Sequence, residues 1–405
     1  MEVDLSSLSR QIETLSKLPF DELSEALSPD AASELRKKLS RLSVALETPG
    51  EIVDRIVYSP VDLVAIRLAV DLGIFEVLVN GKAPKSIQQL AGETSADATL
   101  LGRILRSLAS IDAVAEAGQE MYTATKISRA FTTPKGISGA GFFIDCLVPC
   151  WTALPATLAK SRYQNPTDGL HTALQSGLQT NEHGFEWFAR HPKVFNDFNI
   201  FMSAQREGRA YWLDFYPFEQ KLSTKARDNE HEVLFVDVGG ALGSEIKELR
   251  KRFPALKGRM VLQDRQQTID HVSPDPGMEA MVHDFFTPQP VTGARIYYLR
   301  NVLHDWPTQL AHLILQQIRA AMAPGVSRLL INELVVPLQG SGQFPPHSDL
   351  NMMTLVAGME RTEAQWKELL ESAGLEIEKI WTGEGETESI IEAVVAVRNG
   401  SETGE

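Results

Sequence analysis

Four stretches in the C-terminal half of the chain are apolar almost without interruption: VLFVDV, RMVLQD, ARIYYL and RLLINEL. Between them lie SEIKELRKRF and LAHLILQQIRAAM, where apolar residues recur every three or four positions. Strand-length apolar runs alternating with helical periods predict a sheet covered by helices on both faces. This is an α/β, doubly wound arrangement, and its ligands bind at the C-terminal ends of the strands. Further on, TEAQWKELLESAG precedes LEIEKIW and SIIEAVVAV.

The N-terminal half has a different pattern. Residues 1–47 carry Leu5, Leu8, Ile12, Leu15, Leu35, Leu39 and Leu42 at helical spacing, punctuated by Pro19 and Pro49. These predict helices laid across another surface, such as a partner chain. SPVDLVAIRLAVDLGIFEVL, KSIQQLAGET and SADATLLGRILRSLASI read as three helices, the last with Ser95 as a plausible cap. VAEAGQEMYTAT then reads as two short strands around a turn, so that residues 60–130 resemble a winged helix. Its third helix offers only Arg103 and Arg106, too few cations for a groove reader. Residues 135–220 are helical and aromatic, including Phe143, Trp151, Phe185 and Phe201. Such rings either build a core or line an apolar pocket. The predicted division is 1–130 for the helical and winged-helix domain, 131–220 for a connector, and 221–405 for the doubly wound domain.

Composition narrows the partners. Fifty-three acids against 39 Lys and Arg give a net charge of −14, which disfavours nucleic acid and anionic membranes. The N-terminus lacks the basic and then apolar run of a secretory signal. No window reads as long and apolar enough to span a bilayer, and a reducing, cytoplasmic setting is expected. The two cysteines, Cys146 and Cys150, are expected to be buried thiols or pocket wall.

Chemistry concentrates at the ends of the predicted strands. VDVGGALG places Asp237 two residues before Gly239, with Gly240 and Gly243 following. These glycines permit a tight turn and close approach to a ligand, with a helix from about Ser244 pointing its N-terminus at the crevice. The spacing lacks the dinucleotide register G-x-G-x-x-G, and no G-K-[ST] occurs. Asp264 ends the next strand, where an acid either accepts both ribose hydroxyls or caps a helix. Asp284 and Phe285 either hold and cover an adenine or begin a turn over the core. With no cation placed for phosphate, a cationic or zwitterionic nucleoside suits this acidic rim better than NAD or ATP.

His304, in LRNVLHDW, follows a buried strand, and histidine is readily poised as a base near neutral pH. Glu333 ends the next strand and Glu360 opens ERTEAQW. Asp305 is expected to cap the following helix and point away from His304. Asp349 and His347 complete a set that could ligate a metal, but regular ligand spacing is missing, so no metal is expected.

FVDVGGALG, GRMVLQD, MVHDFFTPQP, LRNVLHDW, SRLLINE, DLNMMTLVAGMERTEAQW and ESAGLEIEKIW, with NPTDG and GRAYWLDFYP upstream, resemble the fungal S-adenosylmethionine-dependent O-methyltransferases of secondary metabolism. The resemblance covers nearly the whole chain. It implies a Rossmann-like catalytic domain of the class I methyltransferase type, joined to a mostly helical winged-helix domain that dimerises and lends residues to its partner's pocket. It implies that Asp237, Gly239, Gly240 and Gly243 hold the methionine end of the cofactor, Asp264 the ribose, and Asp284 with Phe285 the adenine. Arg300 matches a basic position near the cofactor. His304 matches the general base, flanked by Glu333 and Glu360. The expected substrate is a small aromatic or polyketide-type hydroxyl. The alternative is a cyclase, pericyclase or dehydratase that uses the bound cofactor without methyl transfer. One departure stands out: the family usually has glycine at position 241 and often histidine at 244, where this chain has Ala241 and Ser244.

Overall fold

The computed structural model describes residues 5–16, 27–203, 210–221, 230–383 and 388–396. Pro19, Gly208 and Arg209, used in the sequence reading, lie outside them. The chain divides into two compact units, residues 1–61 and 62–405. In the first, helices Leu5–Ser16 and Pro29–Leu46 form as the leucine spacing predicts, and Leu35, Leu39 and Leu42 are exposed.

The second unit begins with helices ending at a three-stranded antiparallel sheet built from Lys85–Ser86, Val114–Gly118 and Met121–Ala124. The predicted long first helix is split. Gly73, at φ +68, ends one helix at the turn and starts Ile74–Asn80. Asp97, not Ser95, caps Ala98–Ser110, accepting the Leu100 N–H at 2.9 Å. Ser95 instead closes the preceding helix in the left-handed region.

Residues Pro134–Lys160 form a continuous helical run containing a five-residue π turn, Phe143–Leu147. By length and composition alone this run is long and apolar enough to cross a membrane, contrary to the sequence expectation. Phe142, Cys146, Leu147 and Cys150 on this run pack with Leu174, Trp187, Phe188, Leu355 and Val356. Both thiols are buried and free, as expected.

The rest of the unit is a seven-stranded sheet. Its strands are β1 (Val233–Val238), β2 (Arg259–Asp264), β3 (Glu279–Val282), β4 (Ile296–Arg300), β5 (Arg328–Glu333), β6 (Leu375–Thr382) and β7 (Ser389–Val395). The order is β6-β7-β5-β4-β1-β2-β3, with the first five strands in sequence parallel and β7 antiparallel to both of its neighbours, β5 and β6. Alternate residues face opposite cores, which explains the unbroken apolar runs: on β4, Tyr297 and Leu299 join one cluster, Ile296 and Tyr298 the other. Helices α1 (Ser244–Arg252), α2 (Thr308–Ala321), α3 (Phe344–Val356) and α4 (Glu363–Ser372) complete the α/β fold. Chain direction then brings Gly239, Asp264, Arg300 and Glu333 to one edge of the sheet.

Candidate active site

The glycine turn after β1 is pinned to its neighbour strand. The N–H groups of Gly239 and Gly240 donate to the Gln263 carbonyl at 2.8 and 3.2 Å. A side chain at Gly240 would stand 2.3 Å from the carboxyl carbon of buried Asp237, so only glycine allows this approach. Gly243, at φ +75, caps α1. Ala241 also takes a positive φ, +51, where an L side chain is strained. Its N–H donates to Asp264 Oδ2 at 2.9 Å, while the Arg265 N–H donates to Oδ1 at 2.8 Å. The half-buried carboxylate is therefore held from behind by two backbone donors, an acceptor oriented for a diol. Asp284 is exposed and accepts the Phe286 N–H at 3.0 Å. Lys247 donates to the Leu242 carbonyl at 3.1 Å. These acceptors and close-approach glycines fit an adenosine-bearing sulfonium.

Arg300, at the same edge, is engaged by a carboxylate. Its guanidinium makes two hydrogen bonds to Glu388, at 3.0 and 2.7 Å, and Asn301 Nδ2 donates to the same carboxylate at 3.1 Å.

His304 lies on a short 3-10 turn, Leu303–Asp305, built by Glu333. Glu333 Oε1 accepts the N–H groups of Val302 and Leu303 at 3.0 and 2.8 Å, and that of His304 at 3.4 Å. Behind the turn, Gly358 lies so close that a side chain there would stand 2.1 Å from the His304 carbonyl oxygen. The Met359 N–H donates to that oxygen at 2.8 Å. His304 Nδ1 lies 2.9 Å from Glu360 Oε1 and 3.5 Å from Glu333 Oε2. Ser348 donates to Glu360 Oε1 at 2.8 Å, and Asp349 receives the Glu360 N–H at 2.9 Å.

The electrostatics follow from this packing. Burial opposes charge on His304, but the carboxylates of Glu333, Glu360 and Asp305 outweigh it and hold its pKa well above the ordinary value. Burial pushes Glu333 up to about 7. Burial works the same way on Glu360, yet His304, Ser348 and Arg361 keep it below the usual carboxylate range. Glu360 is the ionised partner of the imidazole and Glu333 the builder of its turn.

Asp305 does not cap α2. The cap position is Pro307, and Asp305 Oδ1 lies 3.5 Å from His304 Nε2. The 3-10 turn reverses the side chain toward the imidazole. Sequence reasoning also missed Arg361. Its buried guanidinium donates to the carbonyls of Leu303, Met359 and Trp306 at 2.9, 3.3 and 2.9 Å, on both sides of His304. An arginine next to an acid in ERTE looks like a solvated pair, and only its position between strand and turn buries it. His304, Glu333 and Glu360 could by geometry also hold a metal ion. The imidazole-to-Glu360 hydrogen bond already uses that geometry for a proton.

Comparison with known proteins fits this edge. The O-methyltransferase domain matches residues 221–376, and the O-methyltransferase dimerisation domain matches residues 59–134. Methyltransferase cfoC of Aspergillus candidus is 45% identical over 96% of this chain and 97% of its own length. The chain belongs to the O-methyltransferase family. Demethylsterigmatocystin 6-O-methyltransferase of Aspergillus flavus is 35% identical over 89% of this chain and 92% of its own. Among solved structures, LepI in complex with SAM superposes with a TM-score of 0.86 at 29% identity, covering 96% of this chain and 99% of that one. A chain described as a pericyclic reaction enzyme gives the same TM-score and identity, over 96% of this chain and 100% of its own. OxaC with SAH and oxaline gives 0.82 at 26% identity, covering 97% and 98%.

Proposed function

We propose that this O-methyltransferase methylates a hydroxyl of a small aromatic or polyketide-type metabolite, with His304 as the general base. S-adenosylmethionine is the methyl donor, and it supplies an electrophilic methyl on a sulfonium. The observation that carries the base assignment is the 2.9 Å contact between His304 Nδ1 and ionised Glu360, which leaves Nε2 as the proton acceptor. Nε2 takes the hydroxyl proton as the oxygen attacks, and Glu360 steadies the imidazolium through Nδ1–H. Glu333 and Arg361 keep the turn in place, so the ring needs no reorganisation. Asp237 and the glycine turn hold the amino-acid end of the donor, Asp264 the ribose, and Asp284 with Phe285 the adenine. Arg300, held by Glu388, supplies the basic position near the cofactor. Residues 59–134, read as a winged helix, serve to form a homodimer in place of DNA binding.

The likeness to a pericyclic reaction enzyme keeps a second reading in play, in which the bound sulfonium acts by charge alone. Retention of a base already paired with Glu360 favours methyl transfer. Incubating the chain with S-adenosylmethionine and demethylsterigmatocystin, the substrate in a relative's name, or related polyketide phenols tests both. Gain of one methyl by mass, with stoichiometric S-adenosylhomocysteine, supports transfer. An isomerised product with the donor intact supports the second reading.

A further inference from the structure

The connector helix Gly184–Arg190 contributes a ring that no hydrophobic core claims. Phe185 is half-buried, and among the described residues it is packed into none of the hydrophobic clusters. Its neighbours are of another kind. The Arg265 guanidinium lies over its face, 5.7 Å from the centroid, and Trp306 stands 6.1 Å away on another side. His183, which caps the same helix, stacks on Phe185 at 5.5 Å and on Trp306 at 5.6 Å, nearly parallel to the indole at 14°.

These contacts close a circuit. Trp306 meets Phe285 at 6.0 Å, and a side chain at Gly239 would come within 3.8 Å of the Phe285 ring. From Gly239 the turn runs to Ala241, whose N–H binds Asp264, and Asp264 is bonded to Arg265, which returns to Phe185. Gly239 and Asp264 place the circuit at the C-terminal ends of β1 and β2, and each of its aromatic members is left partly open. A flat, uncharged heterocycle fits between such faces, because stacking exchanges exposed ring surface for ring surface.

We propose that Phe185 forms a wall of the adenosine slot, so that the connector, and not only the doubly wound domain, holds the nucleoside. This rests on the use of S-adenosylmethionine. Phe185 is a positioning and binding residue and takes no part in the proton transfer. His183 orders it by stacking and by capping its helix. Docking of the connector and binding of the nucleoside therefore favour one another.

The test is calorimetric titration of the full chain with S-adenosylhomocysteine and with 5′-methylthioadenosine, which keeps the nucleoside but lacks the amino-acid end. In Phe185→Ala both ligands should bind about tenfold more weakly, the scale of one lost stacking face. Phe185→Tyr should restore both to within about twofold. Phe185→Leu, which preserves bulk but removes the flat ring, covers the case in which the alanine variant fails to fold. It should lose about threefold on both ligands. Unchanged binding of either ligand to the folded alanine or leucine variant overturns the wall. So does a loss confined to S-adenosylhomocysteine. A wild-type chain that binds neither ligand overturns the donor reading as well, which separates the two failures.

Discussion

His304 and Asp264 stand at the same edge of one sheet, yet their surroundings are opposite. Around His304 the polar partners are in place before any ligand arrives: Glu360 at 2.9 Å, Glu333 on the turn, and Arg361 on three carbonyls. Around Asp264 only the backbone is fixed, by the N–H groups of Ala241 and Arg265, and the outer face of the carboxylate stays half-open. Asp284 and the rings of Phe285 and Trp306 are likewise partly open. A base must not reorganise during a reaction, so its geometry is built into the fold. A binding rim must admit its ligand, so it fixes acceptors and leaves surface unpaired until the ligand covers it. Substitutions at the base end should therefore change turnover or folding while sparing affinity, and those at the rim should do the reverse.

The largest effect is expected at His304 itself. His304→Ala should reduce methyl transfer about 10²- to 10⁴-fold while the Kd for S-adenosylhomocysteine stays within about twofold. The same comparison has a pH dependence. Because the surrounding carboxylates raise the His304 pKa, the neutral ring that accepts a proton is populated only as pH rises above the ordinary histidine range. Wild-type turnover should therefore climb from neutral into alkaline pH, and whatever rate remains in His304→Ala should lack that limb. A fall in affinity matching the fall in rate would erase the contrast between the two ends.

Arg361 comes next, and here the readout is stability. Replacing it with methionine takes the guanidinium donor from three carbonyls and leaves Glu333 and Glu360 without a nearby cation. Losing one partner of a buried charged network costs about 3–5 kcal/mol. Urea denaturation should show that loss, whereas Arg361→Lys, which keeps the charge but not the planar fork, should recover part of it. A methionine variant as stable as wild type would mean that the turn carrying His304 holds itself.

At the rim, Asp264→Asn should weaken S-adenosylhomocysteine by about 2 kcal/mol, roughly thirtyfold, through loss of charge-assisted hydrogen bonds to the ribose. Its unfolding free energy should move by less than about 1 kcal/mol, because an amide oxygen can still accept the Ala241 N–H. Calorimetry and denaturation on one preparation measure both. A large stability loss with little change in Kd would make Asp264 a builder of the loop like Glu333.

The contrast also explains what could be read from the chain in advance. Strand limits such as Val233–Val238 and Arg259–Asp264 follow the apolar runs to the residue, because burial on both faces keeps most of their positions apolar. His304, Glu333 and Glu360 could be singled out because each lies at or just past the end of an apolar run, where the topology gathers them. Arg361 and Gly358 could not, since their roles depend on backbone atoms of another segment, and no periodicity records which carbonyl lies opposite. Asp305 was misplaced because a 3-10 turn, not the α2 helix, sets its direction. The partner of Arg300, Glu388, lies 88 residues further along the chain, beyond any local pattern.

Ala241 gives the smallest effect and the finest division between the two kinds of site. At φ +51 its methyl group makes the left-handed conformation cost about 1 kcal/mol relative to glycine. The residue is exposed, so the methyl gains little burial in return. Its N–H contact to Asp264 involves the backbone alone and survives removal of the side chain. Ala241→Gly should therefore stabilise the fold by about 0.5–1 kcal/mol, the relief of strain outweighing the extra freedom of an unfolded glycine. Affinity for S-adenosylhomocysteine should change by less than about twofold, because the acceptor it positions is unchanged. Thermal unfolding with and without the ligand reads both quantities. Equal stabilisation in the two states would show strain confined to the fold, whereas a gain that appears only with ligand would show the methyl pressing on the cofactor itself and move Ala241 from the scaffold to the binding rim.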